Sequence, residues 1–346
     1  MPLEALMAFA SRQNPKRGFL FVSKVLGKHI PCRPKRMREV YQRLAEKLRH
    51  LPGPIVVLGM AETATGLGGG VAHSLAELNL GNEVLYLHTT RHRIDAPLLL
   101  AFDEHHSHAT GHLLYKPKGE YETLFKAARS LVVVDDEIST GRTLKTLTEG
   151  VARQLPHCQH IVLTAIVNWL RPAEQRLLQS NFRSRLSFVS LLEGEFEFQP
   201  NKDYHPTLPS GMNGQRWSGY ARTDTGRAGL LMPVDVKHLT LNGVPEGPLV
   251  VVGTGEFAFV PFLAAEALEN DGRDVLFQST TRSPIMEGEA IRSKLTFSDE
   301  RGEGVVNYIY NLPADRHVII AYEYAAMAKQ HKFPALVDGQ TCALDS

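Results

Sequence analysis

Residues 131–143, LVVVDDEISTGRT, constrain the fold more than any other stretch of this 346-residue chain. Leu131, Val132, Val133 and Val134 make a short unbroken apolar run, the pattern of a strand buried on both faces of a parallel sheet. Asp135 and Asp136 follow at once, where such a strand reaches the carboxyl edge of its sheet. The chain then turns through Ser139, Thr140, Gly141, Arg142 and Thr143, and Leu144 starts a helical pattern. Open α/β sheets bind ligands at that edge, and the N–H groups of a helix N-terminus accept a phosphate. An acidic pair beside such a turn suits a sugar phosphate, with hydroxyls on the carboxylates and phosphate in the turn. The bland alternative is an ordinary βα turn with an Asp-rich edge.

Two further strands point the same way. Ile55, Val56, Val57 and Leu58 run into GMAETATGLGGG and a helix-like AHSLAEL, again strand, Gly-rich turn and helix. Backbone N–H groups and a helix dipole there favour an anion, although glycines also serve tight turns and close packing. A third strand, residues 83–88, is followed by Arg91 and Arg93, whose guanidiniums suit an anion. Around and beyond them fall six of the chain's 15 histidines, His88, His92, His105, His106, His108 and His112. No helical His-x-x-x-His frame with a third carboxylate accompanies them, so a metal site and a histidine-rich surface loop both stay open.

Composition narrows the class. Hydrophobic content of 43% and charged content of 22% are those of a globular protein, and 346 residues suit two domains. No apolar run approaches the ~20 residues of a bilayer span, and no signal-peptide pattern opens the chain, so a cytoplasmic protein is expected. Three scattered cysteines argue against a disulfide framework. A net charge of +1 argues against nucleic acid or membrane as partner. One local imbalance stands out: nine Lys or Arg and no acid between Arg12 and Arg38. It reads as a solvated face or as a surface bordering an anion.

The chain also carries its own pattern twice. VVLGMAE at 56–62 recurs as VVVGTGE at 250–256, LYLHTTRHRI at 85–94 as LFQSTTRSPI at 276–285, and LVVVDDE at 131–137 as HVIIAYE at 317–323. The offset is about 190 residues and shortens downstream. This alignment puts Ala321 and Tyr322 in place of the two aspartates, so the second copy is expected not to bind a ribose phosphate. Gly253, Gly255 and Arg282 remain there, with Arg282 a candidate for an acceptor-side role. Residues 193–225 read as a linker or irregular segment, rich in Pro, Gly and polar residues.

The 131–143 stretch resembles the phosphoribosyl-pyrophosphate (PRPP) motif of type I phosphoribosyltransferases: four apolar residues, two acidic ones, then a T-G-x-T loop. Thr281, Arg282, Ser283 and Pro284 spell a second signature. With NPKRGFLFVSKVLGKHIPCRP, EHHSHATGHLL and GEGVVNYIYN, they make the chain similar to a bacterial family in which an orotate-phosphoribosyltransferase-like domain precedes a Thr-Arg-Ser-Pro (TRSP) domain. That family is associated with tellurite-resistance and stress gene clusters.

The resemblance implies a Rossmann-like, mostly parallel α/β domain followed by a second α/β domain, which reads as a degenerate duplicate. The expected boundaries are a basic N-terminal segment packing on the core at 1–50, a phosphoribosyltransferase domain at 51–192, the irregular segment at 193–225 and a TRSP domain at 226–346. By the same resemblance, Asp135 and Asp136 hold the ribose hydroxyls, and Ser139, Thr140, Gly141, Arg142 and Thr143 wrap the 5′-phosphate. Ala61, Glu62, Thr63, Ala64, Thr65 and Gly66 form the pyrophosphate loop, assisted by Arg91 and Arg93. Mg²⁺ is held by Asp135 and Asp136 through ribose hydroxyls or water, since hard oxygen ligands suit it. A hood over residues 95–112 makes His105, His106, His108 and His112 lid residues, with Lys116 and Lys118 as alternative cations. At Glu137 the chain departs from the family's usual apolar residue.

The implied function is transfer of phosphoribosyl from PRPP to, or from, a nitrogen heterocycle in nucleotide or nucleoside-like metabolite synthesis. Related enzymes are often dimers, so a homodimer is expected. Two other classes compete: a PRPP- or nucleotide-binding regulator on the same fold, and an assembly component using a degenerate one. Turnover separates the first from the enzyme, and PRPP binding excludes the second.

Overall fold

A computed structural model describes residues 1–12, 18–78, 81–102, 111–199, 221–234 and 243–344. His105, His106 and His108 lie outside the described residues, as do Lys16 and Arg17.

The chain opens with a helical turn, α1 (Leu3–Leu6), and an antiparallel hairpin of β1 (Met7–Ser11) and β2 (Phe19–Ser23). Helix α2 (Pro34–Leu48) starts on Pro34, where a missing N–H is not needed by the helix. There follow β3 (Ile55–Gly59), α3 (Ala64–Leu78), β4 (Val84–His88), β5 (Leu98–Phe102), β6 (His112–Tyr115) and α4 (Gly119–Ala127). Next come β7 (Ser130–Val134), β8 (Glu137–Ile138), α5 (Arg142–Ala152), β9 (His160–Asn168), α6 (Pro172–Gln179), β10 (Arg185–Glu193) and β11 (Leu230–Met232). The second half holds β12 (Leu249–Gly253), α7 (Phe259–Asn270), β13 (Val275–Ser279), β14 (Lys294–Ser298) and β15 (Val306–Tyr310). It ends with β16 (His317–Tyr322), α8 (Ala325–Gln330), α9 (Phe333–Leu336) and β17 (Gln340–Ala343).

The first sheet runs β10-β9-β7-β3-β4-β11. Its strands are parallel except β11, which joins β4 antiparallel, and β8 adds to β9 past the end of β7. Every residue of β3, β4 and β7 is buried, as apolar runs covered on both faces must be. The second sheet is β13-β12-β16-β17, parallel throughout. The fold is therefore α/β with mostly parallel sheets, as the apolar runs and Gly-rich turns indicate.

One core spans both halves. The α2 stripe Met37, Val40, Tyr41, Leu44 and Leu48 recurs at helical spacing and packs against α3. Phe259 and Phe262 of α7 close on the same two helices. Glycines in α3 make this approach possible. A Cβ at Gly70 would run into the ring of Tyr41, and one at Gly69 would lie 2.5 Å from Phe259 Cγ. At Gly66 the nearest atom is 3.4 Å away, the Cβ of Ala258. Gly70→Ala is accordingly expected to cost about 1–3 kcal/mol by overpacking, whereas Gly66→Ala changes stability little. Denaturant midpoints of the two variants check this, and equal midpoints would remove the packing account.

The internal repeat is visible in three dimensions. The trio β7-β3-β4 recurs as β16-β12-β13, with helices α3 and α7 in the corresponding crossovers. Gly59 pairs with Val134 and His88, and Gly253 pairs with Ala321 and Ser279. The backbone register thus corrects the sequence alignment by one residue. Tyr322 and Glu323, rather than Ala321 and Tyr322, stand where the first half has Asp135 and Asp136. A one-residue slip turns each side chain to the other face, so the difference is chemical as well as numerical.

The edges are exchanged between the halves. Segment 226–232, which leads into the second half, runs along β4 of the first, with the His88 N–H donating to Gly226 O at 3.0 Å. Segment 27–32, which leads into the first half, runs along β13 of the second, with the Ser279 N–H donating to Gly27 O at 2.7 Å. Both glycines have φ in the left-handed region, +110° at Gly226 and +63° at Gly27. Each is followed by a cation, Lys28 or Arg227. No helix among the described residues is long and apolar enough to cross a membrane.

Candidate active site

Strands β7, β3 and β4 end side by side, which brings three of the sequence's candidate groups to one edge. At the end of β7, the Asp135 N–H donates to Thr164 O at 2.9 Å, and the Ile166 N–H donates to Asp136 O at 3.1 Å. The ladder with β9 therefore continues through both aspartates and fixes their backbone. The Asp136 N–H donates to Asp135 Oδ1 at 2.9 Å, and both side chains are half-buried. Glu137, unexplained by sequence, accepts a hydrogen bond from Trp169 Nε1 at 3.2 Å. Trp169 in turn stacks on Phe21 of the hairpin at 4.6 Å and meets Phe196 edge-on at 5.5 Å. The acid thus anchors an indole that ties β9 to the N-terminal hairpin. Past β8, Gly141 adopts φ +66° at the N-cap of α5, with Ser139 and Thr143 half-buried and Thr140 and Arg142 exposed.

At the end of β3 the chain turns through Met60 and a cis Ala61–Glu62 peptide into α3. The Ala61 N–H donates to Thr89 Oγ1 at 2.8 Å, and Thr65 Oγ1 donates to Glu62 O at 3.2 Å. Ala61, Ala64, Thr65 and Gly66 are buried, whereas Glu62 and Thr63 are half-buried at the turn's surface. At the end of β4, Arg91 Nη2 lies 3.3 Å from His112 Nε2, and Thr89 Oγ1 lies 3.2 Å from His112 Nδ1. A guanidinium only donates, so Nε2 accepts and Nδ1 carries the proton. His112 is fully buried and stacks on Phe102 at 5.0 Å. It is a packed residue at the base of the β5–β6 pair rather than a side chain presented on a loop. Arg93 is exposed.

The second half closes over this edge with a buried network of charge. Arg227 Nη2 lies 3.1 Å from Glu256 Oε2 and 2.8 Å from Glu323 Oε1, and Arg301 Nη2 reaches the same Glu323 oxygen at 2.8 Å. All four side chains are 1–2% exposed. Burial alone would raise both carboxyls. His92 and Arg227 outweigh it at Glu256, which lies well below the usual carboxylate range, and Arg227 with Arg301 outweighs it at Glu323, which lies below that range. On the first half's loop, Lys28 Nζ lies 2.6 Å from Glu62 Oε1 and donates to Gly255 O and Thr280 O. That ammonium holds the Glu62 carboxyl below its usual value against the burial that opposes it. Burial and Arg301 push His92 well below 6.5, leaving a neutral imidazole 3.5 Å from Glu303.

Arg282, the second-half candidate, is brought to the same place. Its N–H donates to Glu62 Oε2 at 3.4 Å and its Nη2 pairs with Glu303 Oε2 at 3.4 Å. The basic stretch from Arg12 to Arg38 has a role that neither sequence reading gave it. Arg33 pairs with Asp274 at 3.0 Å, and Arg38 grips Glu266 with two nitrogens. It joins the two halves. Among the described residues, no group of three or more His, Cys, Asp or Glu is placed to hold a metal by protein ligands alone. Asp135 and Asp136, two adjacent half-buried carboxylates at a sheet edge, fit a hard cation shared with a polyoxygen ligand.

Residues 6–195, more than half of the chain, match the family model described as phosphoribosyl transferase. The chain belongs to the phosphoribosyl transferase family. Residues 227–338 match the model described as the TRSP domain C terminus to that same family, so the order of the two units is the one the signatures suggest. No curated protein matches the chain. Among solved structures, the APRTase from Giardia lamblia complexed with 9-deazaadenine is similar at 17% identity and a TM-score of 0.37, over 56% of this chain and 97% of that one. The adenine phosphoribosyltransferase from Trypanosoma brucei in complex with AMP, pyrophosphate and ribose-5-phosphate is similar at 16% identity and a TM-score of 0.39, over 55% of this chain and 77% of that one. That from Leishmania donovani is similar at 18% identity and a TM-score of 0.38, over 60% and 85%.

Four residues of this family member were given no role by the sequence reading: Lys28, Arg227, Glu256 and Glu323. A signal for three of them was present. Gly-Lys at 27–28 and Gly-Arg at 226–227 precede the two copies at corresponding places, and Glu256 is the counterpart of Glu62 in GMAE and GTGE.

Proposed function

We propose that the chain transfers phosphoribosyl between PRPP and a nitrogen heterocycle, with Mg²⁺ as cofactor. One observation carries the reading: three adjacent parallel strands end on an acidic pair, a Gly-rich turn and an arginine, all at one edge. Asp135 and Asp136 would take the ribose hydroxyls. Ser139, Thr140, Gly141, Arg142 and Thr143, at the start of α5, would take the 5′-phosphate. Ala61, Glu62, Thr63, Ala64, Thr65 and Gly66 would border the pyrophosphate, with Arg91 on its far side and Arg93 outside it. Asp135 and Asp136 are the residues that would hold Mg²⁺, which supplies positive charge to the leaving pyrophosphate when bound. Positive charge builds at C1′ and negative charge on the leaving group in such a transfer. Fixed donors and cations along this edge would stabilise the latter. Glu62 would be repelled by pyrophosphate, but Lys28 and Arg282 draw its carboxylate aside.

The division of the chain into a transferase unit at 51–192 and a TRSP unit at 226–346 is part of this proposal, with 1–50 joining the two. Incubating the full chain with PRPP, Mg²⁺ and a panel of purine, pyrimidine and other nitrogen heterocycles should release pyrophosphate with at least one of them. Tight PRPP binding without release for any acceptor would instead support the regulator reading. Absence of PRPP binding by calorimetry would remove both.

A further inference from the structure

The contacts between the halves come in matched pairs. The Ala61 N–H donates to Thr89 Oγ1, and its counterpart, the Gly255 N–H, donates to Thr280 Oγ1, both at 2.8 Å. The Thr89 N–H donates to Gly59 O, and the Thr280 N–H donates to Gly253 O, both at 3.0 Å. Across the interface, the Arg91 N–H donates to Glu256 Oε1 at 2.7 Å, and the Arg282 N–H donates to Glu62 Oε2 at 3.4 Å. Lys28 pairs with Glu62 as Arg227 pairs with Glu256. Residue i of one half meets residue j of the other, and j meets i, which is the pattern of an isologous interface. Here it lies within one chain. Each half's loop glutamate holds the Thr-Thr-Arg turn of the opposite half.

The two exchanges are not equal in strength. Glu256 receives the Arg91 N–H on one oxygen, and the Thr90 hydroxyl (2.5 Å) and Arg227 on the other. The turn that carries Arg91 is therefore pinned by an ionised, buried acceptor, and such bonds are stronger than neutral ones. From Arg91 the contacts run on through His112 and Thr89 to Ala61, the first residue of the Gly-rich turn. The acid of the second half thus anchors one end of a chain of hydrogen-bonding groups that bounds the first half's strand ends.

We propose that Glu256 is a positioning residue for the pyrophosphate side of the site: it fixes the Thr90–Arg91 turn and so aims the Arg91 guanidinium toward the Gly-rich loop. The inference rests on the transferase reading above. It makes the TRSP half part of the donor site without contact to the donor.

The test uses the full chain and two probes in Mg²⁺, pyrophosphate and ribose 5-phosphate, titrated by calorimetry. Glu256→Gln should lower pyrophosphate affinity about tenfold, the order of one charge-assisted hydrogen bond, and leave ribose 5-phosphate affinity as it was. Arg91→Ala should show the same selective loss, and the double variant should lose no more than Arg91→Ala alone. Glu256→Asp keeps a charge for Arg227 yet shortens the reach to the Arg91 N–H. It should show the same selective loss even if Glu256→Gln does not fold. Wild-type pyrophosphate affinity in Glu256→Asp would overturn the proposal. So would equal losses for both probes, or losses that multiply in the double variant. If the unmodified chain binds neither probe, the transferase reading fails and this inference with it. Binding by the unmodified chain alongside unselective variants overturns the inference alone.

Discussion

Asp136→Asn is expected to weaken PRPP binding in Mg²⁺ by about 10- to 100-fold, the worth of hydrogen bonds to a charged group, and to remove measurable pyrophosphate release. An amide keeps the size of the carboxylate but loses the charge that a metal-linked pair of hydroxyls requires. The backbone should not suffer. Asp136 holds its place in the sheet through its carbonyl, which accepts from the Ile166 N–H, and its own N–H donates to Asp135 Oδ1. The side chain is thus separable from the ladder. A calorimetric titration of a folded variant with unchanged PRPP affinity would take the acidic pair out of the site.

Arg227→Met is expected to be the most damaging single change to stability, by about 3–5 kcal/mol. It would leave Glu256 and Glu323 as buried charges with their shared partner gone, although Arg301 still reaches Glu323. Arg227→Lys should recover only part of the loss, because a point charge cannot span both carboxylates as a guanidinium does. The same network predicts a direction with pH. Glu62, Glu256 and Glu323 all have folded-state pKa values below the ordinary 4.5. Groups depressed in this way contribute stability that is complete above 4.5 and is lost as pH falls through their folded values. Thermal midpoints should therefore fall in two stages: below about 6.5, where the unfolded chain protonates histidines such as His29 and His92 that stay neutral in the fold, and again below about 4.5, where these acids are protonated. The second drop should be smaller in Arg227→Met, which has already lost one cause of two of the shifts. A midpoint equal to wild type in the Met variant, or a pH profile of unchanged shape, would contradict the network's role.

Much of the fold was legible because its central strands are unbroken apolar runs. Residues 55–59, 84–88 and 130–134 needed no partner to be recognised, since burial on both faces leaves only one composition. The acidic pair and its turn were legible for a related reason: a phosphate-cradling turn demands glycine and small hydroxyl residues at fixed offsets. The register of β16 was not. HVIIAYE aligns with LVVVDDE equally well with or without a slip of one, and only pairing with β12 decides. Strand β11 escaped because three residues, LLM, carry no periodicity, and its partner β4 is more than 140 residues earlier. The basic stretch between Arg12 and Arg38 misled in the same way. Arg33 and Arg38 looked solvated or substrate-facing because Glu266, Glu269 and Asp274, which meet them, belong to the other copy. Glu137 looked anomalous only while Trp169 was out of view.

The matched contacts between the halves bear on how such a molecule can change over time. Two identical subunits meeting through an isologous face must accept every mutation twice, once on each side. A loss of the acidic pair would then occur at both strand ends. In a single chain the copies inherit separately, so one can trade an aspartate for Tyr322 while the other keeps Asp135. Glu323, standing where Asp136 stands in the first half, shows the result: a carboxylate kept at the strand end but turned inward to two arginines. A covalent link of this kind allows one half to keep an acidic pair while the other serves as its grip.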